Sequence, residues 1–100
     1  MAGNPGLSVA CAEWLHGREI AAVVSDNWCI EVQPAEAGTG MLPLHCVLIR
    51  DMGMMLGEIF DLEDLAADCA GDNVWDFFLS APPLRVVGGV GSPVSPVAMK

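Results

Sequence analysis

Residues 8–27 read SVACAEWLHGREIAAVVSDN and decide the fold class. Ser8 is a suitable N-cap for a helix over residues 8–16, and Gly17 can end it. A helical stripe is formed by the apolar residues at i, i+3 and i+4, namely Cys11, Trp14 and Leu15. The run Ile20–Val24 is continuously apolar, which is typical of a strand buried on both faces. Helix, short loop and buried strand together predict an α/β fold with parallel strands.

A polar turn, Ser25-Asp26-Asn27, follows this predicted strand. Ligands of open α/β sheets bind at the carboxyl ends of the strands. We therefore take Asp26 and Asn27 as candidate substrate-binding residues. The alternative is a purely structural Asx turn, which Asp and Asn also favour.

The middle of the chain continues the alternation of strands and helices. Trp28–Val32 is predicted as a strand and Pro34–Gly40 as a loop. Pro43 can begin a second helix and Gly53 can end it. Its inward face is predicted to hold Leu44, Val47, Leu48 and Met52. A short extended segment, residues 54–56, is expected next.

The last forty residues predict one more helix and one more strand. Asp61 is the expected N-cap of the helix and Gly71 its end. The inward residues of that helix are predicted to be Leu62, Leu65, Ala66 and Cys69. Val74–Ser80 is predicted as a strand, and the Gly/Pro-rich tail as an ordered loop, because valines recur through it too often for a solvated spacer.

The composition predicts a folded chain that has more apolar residues than its core can bury. Of the 100 residues, 53% are hydrophobic and 17% charged, with 11 Gly. Such a composition excludes disorder, and a chain of this length forms one domain at most. The surplus indicates either an obligate interface, as in a homo-oligomer, or residues 1–100 as a single partial domain.

Charge and cysteine content limit the partners and the compartment. The formal net charge of −9 disfavours binding to nucleic acid and docking on an anionic membrane. No apolar run is long enough to span a bilayer, and the N-terminal stretch lacks the basic region of a signal peptide. The four cysteines are scattered among aliphatic residues, so we expect reduced thiols and a cytoplasmic protein.

His45 and Glu58 are the residues best suited to chemistry. An imidazole and a carboxylate are good ligands for Zn²⁺ or Mn²⁺. His45 would lie in the first turn of the second helix and Glu58 after the segment that follows it, so the two could converge, although no periodicity requires it. Two ligands are too few for a closed site. Spacing alone therefore favours ordinary roles, with His45 beside a helix start and Glu58 in solvent.

Three segments resemble the C-terminal part of a cyclase family that includes the bacterial kynurenine formamidases. They are AEWLHGREIAAVVSDNWCIEV (12–32), LPLHCVLIRDMGMMLGEIFDLEDLA (42–66) and APPLRVVGGVGSPVSPVAMK (81–100). The resemblance covers essentially the whole chain, in the family's order. Its most specific pieces are the His of LPLHCVLI, the Glu of GEIFDLEDLA and the closing GGVGSPVSP.

The resemblance implies a fold, an activity and a metal. It implies the C-terminal portion of a swivelling β/β/α domain, usually assembled as a homo-oligomer. It also implies a metal-dependent hydrolase of linear or cyclic amides, such as the arylformamidase that hydrolyses N-formylkynurenine in tryptophan catabolism. His45 and Glu58 match the positions of two ligands for Zn or Mn, and the substrate would be a small-molecule amide.

The sequence departs from the family in one respect. The motif HxGTHxDxxxH supplies most of the family's metal ligands and its catalytic His, and neither His16 nor His45 lies in such a motif. The resemblance therefore implies a C-terminal fragment that has no catalytic residue of its own and is inactive alone. Two alternatives stay open: a non-catalytic scaffold or oligomerisation module, and one half of a split enzyme.

Overall fold

The computed structural model describes residues 3–36 and 38–100. The chain divides into two compact units, Met1–Asp61 and Leu62–Lys100. Each unit combines helix with a two-stranded sheet. The expected mixed α/β class is therefore confirmed, while the swivelling β/β/α arrangement stays a prediction.

The first unit contains two helical segments and a parallel sheet. Its elements are α1 (Cys11–Gly17), β1 (Ala22–Val24), α2 (Pro43–His45), a π-helical segment (Cys46–Asp51) that continues α2, and β2 (Met55–Gly57). Strands β1 and β2 pair in parallel with Val23 opposite Leu56. The parallel pairing and the extended segment after Gly53 agree with the sequence interpretation.

The core of the first unit is small and lies between its helices. Its buried members are Leu15, Leu44, Leu48 and Met54. Pro43 begins the second helix as expected, and Gly53, with a φ of +68°, follows its end. The expected face of this helix is thus confirmed at its two fully buried leucines.

Several expectations for the first unit are wrong in detail. Helix α1 begins at Cys11, not at Ser8, because the Ser8 hydroxyl accepts a hydrogen bond from the Ala10 N–H before the helix starts. Trp14 is 60% exposed, and the Arg18 guanidinium lies 5.4 Å from the centre of its ring. Strand β1 is not buried on both faces, since only Val23 in it is half-buried.

The segment 28–32 is not a regular strand. Residues 26–30 form a series of bends, and Glu31 makes only an isolated bridge with Leu7. Asn27 causes this difference, because its side-chain Oδ1 accepts the N–H groups of Cys29 and Ile30 and so curls the chain.

The second unit contains one helix and an antiparallel sheet. Helix α3 spans Glu63–Asp72, β3 spans Phe78–Ser80 and β4 spans Val97–Met99. Leu79 lies opposite Ala98. The expected strand 74–80 is thus shorter than predicted, and the tail assigned to a loop contributes the partner strand β4.

The ends of α3 differ slightly from prediction. Its N-cap is Leu62 and not Asp61, and the helix continues past Gly71 to Asp72 before Asn73 takes a left-handed conformation. Cys69 is buried as expected, whereas Ala66 is exposed.

All four cysteines are free, but they do not share one environment. Cys29 and Cys69 are buried, while Cys46 is exposed. Within the part of the chain that the structure describes, no helix is long and apolar enough to cross a bilayer.

Candidate metal centre

The carboxyl ends of β1 and β2 lie side by side and carry polar residues. The Ser25 N–H donates to the Gly57 carbonyl at 3.0 Å, and the Phe60 N–H donates back to the Ser25 carbonyl at 3.0 Å. These backbone bonds hold Glu58, which directly follows β2, at the same edge as the turn after β1. The edge matches the position where parallel sheets bind ligands.

His45 reaches this edge from the start of α2. Pro43 fixes the first helical residue, and the side chain of Leu44, fully buried in the core, holds the turn in place. The imidazole Nε2 lies 3.0 Å from Glu58 Oε1. The His45 side chain is 20% exposed and that of Glu58 is 34% exposed, so the pair is open to ligands.

Glu31 contacts the other side of the same imidazole. Its Oε1 lies 2.6 Å from His45 Nδ1, and its side chain is 2% exposed. It also accepts two backbone N–H groups of α2, from Leu44 at 3.1 Å and from His45 at 2.9 Å. The sequence interpretation does not identify Glu31, although a carboxylate between Ile30 and Val32 in an apolar run was an available signal.

A tight backbone arrangement holds Glu31 in its position. The Glu31 N–H donates to the carbonyl of Cys29, so Ile30 lies at the centre of a three-residue turn with φ +50°. Gly6 crosses this turn so closely that an added Cβ would lie 2.6 Å from the carbonyl oxygens of Ile30 and Glu31. Glu31 is therefore placed by the backbone.

Unusual backbone conformations border the site. Three residues other than glycine with positive φ are neighbours of the residues just described: Ile30 before Glu31, Leu42 before α2, and Ile59 after Glu58. A positive φ costs energy in branched residues. Such strain concentrates where the surrounding structure holds functional side chains in place.

The two candidate substrate-binding residues differ in how their side chains are used. Asn27 Oδ1 accepts from Ser25 Oγ at 2.7 Å and from Ile30 N at 2.6 Å, while its Nδ2 donates to the Pro5 carbonyl at 2.9 Å. Asp26 is exposed at the border of a cleft of about 410 Å³. Asn27 thus shapes the turn, and Asp26 is the more accessible of the two.

The pKa of the Cys29 thiol depends on its burial and on two nearby carboxylates. Burial raises the pKa of the Cys29 thiol, and the carboxylates of Glu31 and Glu58 raise it further. This thiol therefore stays protonated to a higher pH than an exposed cysteine.

The donors that meet here suit a divalent metal, but they are few. Two donors bound to one ion at about 2 Å each stand about 3 Å apart, close to the distance between His45 Nε2 and Glu58 Oε1. Among residues 3–36 and 38–100, no three His, Cys, Asp or Glu side chains form a group that could hold a metal. His16 lines a different cleft, beside Glu19 and Met54.

The chain has an α/β fold, and it places an imidazole and a carboxylate at the carboxyl edge of a parallel strand pair. Over 98% of its length the chain is similar to the crystal structure of a novel cyclase, with 42% sequence identity and a TM-score of 0.88. This similarity supports the cyclase family, without distinguishing kynurenine formamidases from other cyclases. The chain spans 30% of the length of that solved relative.

Other comparisons add nothing to this assignment. A scan against protein-family models finds no match, and a search of curated proteins finds no significant one.

Proposed function

We propose that this chain supplies two ligands, His45 and Glu58, to the metal centre of a metal-dependent amide hydrolase of the cyclase family. The observation that carries the proposal is the 3.0 Å approach of His45 Nε2 to Glu58 Oε1 at the carboxyl edge of β1 and β2. Zn²⁺ and Mn²⁺ both accept this donor pair. The similarity to a cyclase structure supports the same assignment.

The residues of this chain would bind the metal and meet the substrate. His45 would bind through Nε2, because Nδ1 is occupied by Glu31. Glu58, at the exposed end of the site, would bind through its carboxylate and meet an arriving substrate. When bound, a metal of this kind polarises a carbonyl and lowers the pKa of a coordinated water. Further ligands and the proton-transferring His would lie outside this chain, as the resemblance implies.

The proposed substrate is a small-molecule amide of the arylformamide type. Asp26, exposed beside the cleft at the end of β1, would contact it, and Asn27 would hold the turn that presents Asp26. Because all four thiols are free, we place the protein in the cytoplasm.

Metal titration of the purified chain tests the proposal. We expect Zn²⁺ or Mn²⁺ to bind weakly, since two ligands do not close a site. His45→Ala and Glu58→Ala should each abolish this binding, measured by calorimetry and by metal content after gel filtration. His16→Ala is the matched control, because it removes the other histidine of the sequence. Equal metal affinity in the wild type and the His45→Ala variant would contradict the proposal.

A second candidate, an assembly module, rests on a different observation. Large apolar side chains are exposed through the second unit: Trp75, Phe78, Leu79, Leu84, Val86, Val87, Val90, Val97 and Met99. Large exposed apolar areas mark interaction sites. We therefore propose that the chain forms a homo-oligomer through this unit, whether or not it binds metal.

A further inference from the structure

We propose that Glu31 is a positioning residue that fixes the ring orientation and tautomer of His45. The functional importance of this inference rests on the proposed metal role of His45, whereas the contacts between Glu31 and His45 do not depend on that role.

Glu31 accepts two backbone N–H groups and also contacts the imidazole of His45. Its Oε1 receives the His45 backbone N–H and lies 2.6 Å from His45 Nδ1, while its Oε2 receives the Leu44 N–H. Both oxygens are thus used as acceptors, as a carboxylate allows. The proton between the carboxylate and the ring therefore lies on Nδ1.

This arrangement determines which ring nitrogen can bind a ligand. With Nδ1 held by Glu31, Nε2 is the ring nitrogen left for a ligand, and it is the atom that lies 3.0 Å from Glu58 Oε1. Carboxylates that accept the second N–H of a metal-binding histidine orient the ring and raise its basicity. Glu31 stands in this relation to His45.

The position of Glu31 is rigid enough for such a role. Its side chain is 2% exposed, and its backbone lies in the turn around Ile30 that Gly6 packs against. A simple capping role at α2 would need only the two backbone contacts. The contact with Nδ1 distinguishes positioning from capping.

Histidine tautomers measured by long-range ¹H–¹⁵N NMR test the inference without metal. The sequence contains only His16 and His45, so His16→Ala assigns both rings. We expect Nδ1 of His45 to carry a proton in the wild type, because it lies 2.6 Å from Glu31 Oε1. Glu31→Ala should move that proton to Nε2, and Glu31→Gln, which keeps one acceptor oxygen, should retain part of the wild-type signal.

Glu36→Ala is the matched control for loss of a structural carboxylate. Glu36 accepts Ser8 Oγ and the Val9 N–H before α1, away from the imidazole contacts. This variant should leave the His45 signals unchanged. An unprotonated Nδ1 in the wild type, or an unchanged His45 spectrum in folded Glu31→Ala or Glu31→Gln, would overturn the inference.

Zinc titration separates this inference from the proposed function. If both hold, Glu31→Ala weakens zinc binding by about 10- to 100-fold, while His45→Ala abolishes it. If His45→Ala has no effect on zinc, the proposed function fails, and the NMR result on zinc-free protein still decides the role of Glu31. Wild-type zinc affinity in Glu31→Ala, with binding lost in His45→Ala, would refute the positioning role alone.

Discussion

At the scale of single residues, the site is a line of three side chains graded from buried to exposed. Glu31 is 2% exposed, His45 is 20% exposed and Glu58 is 34% exposed. A buried carboxylate is costly unless hydrogen-bonded, and Glu31 meets that requirement with the donors of α2. The open end at Glu58 is where a ligand can arrive.

Residue chemistry made His45 and Glu58 candidate ligands, but spacing alone favoured ordinary roles, and it was the family resemblance that implied a metal role for them. Glu31 could not be predicted from the sequence as a site residue, because its position depends on a turn around Ile30. Ile30 is a β-branched residue with a positive φ, which no residue propensity predicts. The approach of Glu58 to His45 depends on the pairing of β1 with β2, which is a tertiary property.

The Cys29 thiol should react more slowly than the Cys46 thiol. Cys29 is buried and its pKa is raised, whereas Cys46 is exposed. Mass spectrometry after iodoacetamide treatment should find Cys46 modified first, and Cys29 only at a pH above the usual thiol range. Peptide mapping separates the rate at Cys29 from those at the other three cysteines, and rapid modification of Cys29 at neutral pH would contradict the structure.

Because the pKa of Cys29 is raised in the folded protein, this thiol also makes the stability of the protein depend on pH. The folded protein keeps the thiol protonated at a pH where the unfolded chain has begun to lose the proton. Its contribution to stability is therefore full below the unfolded thiol pKa and is lost as pH rises through the folded value. A Cys29→Ala variant should show a smaller loss of stability on going to alkaline pH.

Leu48 should be the most sensitive position of the core. It is fully buried beside Leu44, so Leu48→Ala should lower the free energy of unfolding by about 2–5 kcal/mol. Ile49, its exposed neighbour in the same helical segment, is the matched control, and Ile49→Ala should cost under about 1 kcal/mol. Equal costs in urea unfolding would show that Leu48 is not packed as described.

At the scale of elements, apolar periodicity predicts the three helices and strands β1 to β3 in their order, but it does not predict their lengths, and it wrongly predicts a strand at 28–32. Strands β1 and β3 are each three residues long, although longer apolar runs surround them. Each belongs to a sheet of only two strands, so the ends of those runs have no partner strand. Strand β4 was not predicted because Gly and Pro precede it and conceal a short pairing segment.

Gly6→Ala should disturb the element that carries Glu31. The added methyl group would collide with the Ile30 and Glu31 carbonyls, where backbone must move to admit it. We expect a lower melting temperature and a changed His45 NMR spectrum. Gly17→Ala is the control, since nothing lies within 4 Å of its added Cβ, and equal effects of the two substitutions would contradict this packing.

Lys100 should stabilise β4 against α3. Its ammonium lies 2.8 Å from Asp68 Oδ2 and 2.9 Å from Asp72 Oδ1, which raises the pKa of Lys100, while Lys100 lowers the pKa of Asp72. Lys100→Met should speed amide hydrogen exchange in 97–99, and Lys100→Arg should preserve most protection.

The pH dependence of this ion pair follows from the same shifts. Its contribution is present above the ordinary Asp pKa and is lost as pH falls through the lowered value of Asp72. It is also lost at alkaline pH, as the raised pKa of Lys100 is passed. Exchange in 97–99 that is equally fast in wild type and Lys100→Met at neutral pH would contradict the contact.

At the scale of the whole molecule, the apolar surplus of the sequence appears as exposed apolar side chains in both units, most of them in the second. Composition predicted the surplus, because a chain this short cannot bury so many apolar residues. Composition could not predict where they lie, since that depends on which strands find partners.

Association of the chain should depend on β3. Sedimentation velocity should detect a dimer or larger species in the wild type, and Phe78→Thr should shift the protein to smaller species, because a large exposed apolar ring is removed from a strand. Met41→Thr, at an exposed residue of the first unit, is the control. A wild type that stays monomeric as concentration rises would refute the assembly proposal.

X-ray absorption at the zinc edge can show whether His45 binds a metal. In the His16→Ala variant His45 is the only histidine, so any imidazole scattering belongs to it. We predict the outer-shell scattering of one imidazole, lost on adding His45→Ala. A zinc spectrum without imidazole scattering, or one that His45→Ala leaves unchanged, would show that His45 does not bind the metal.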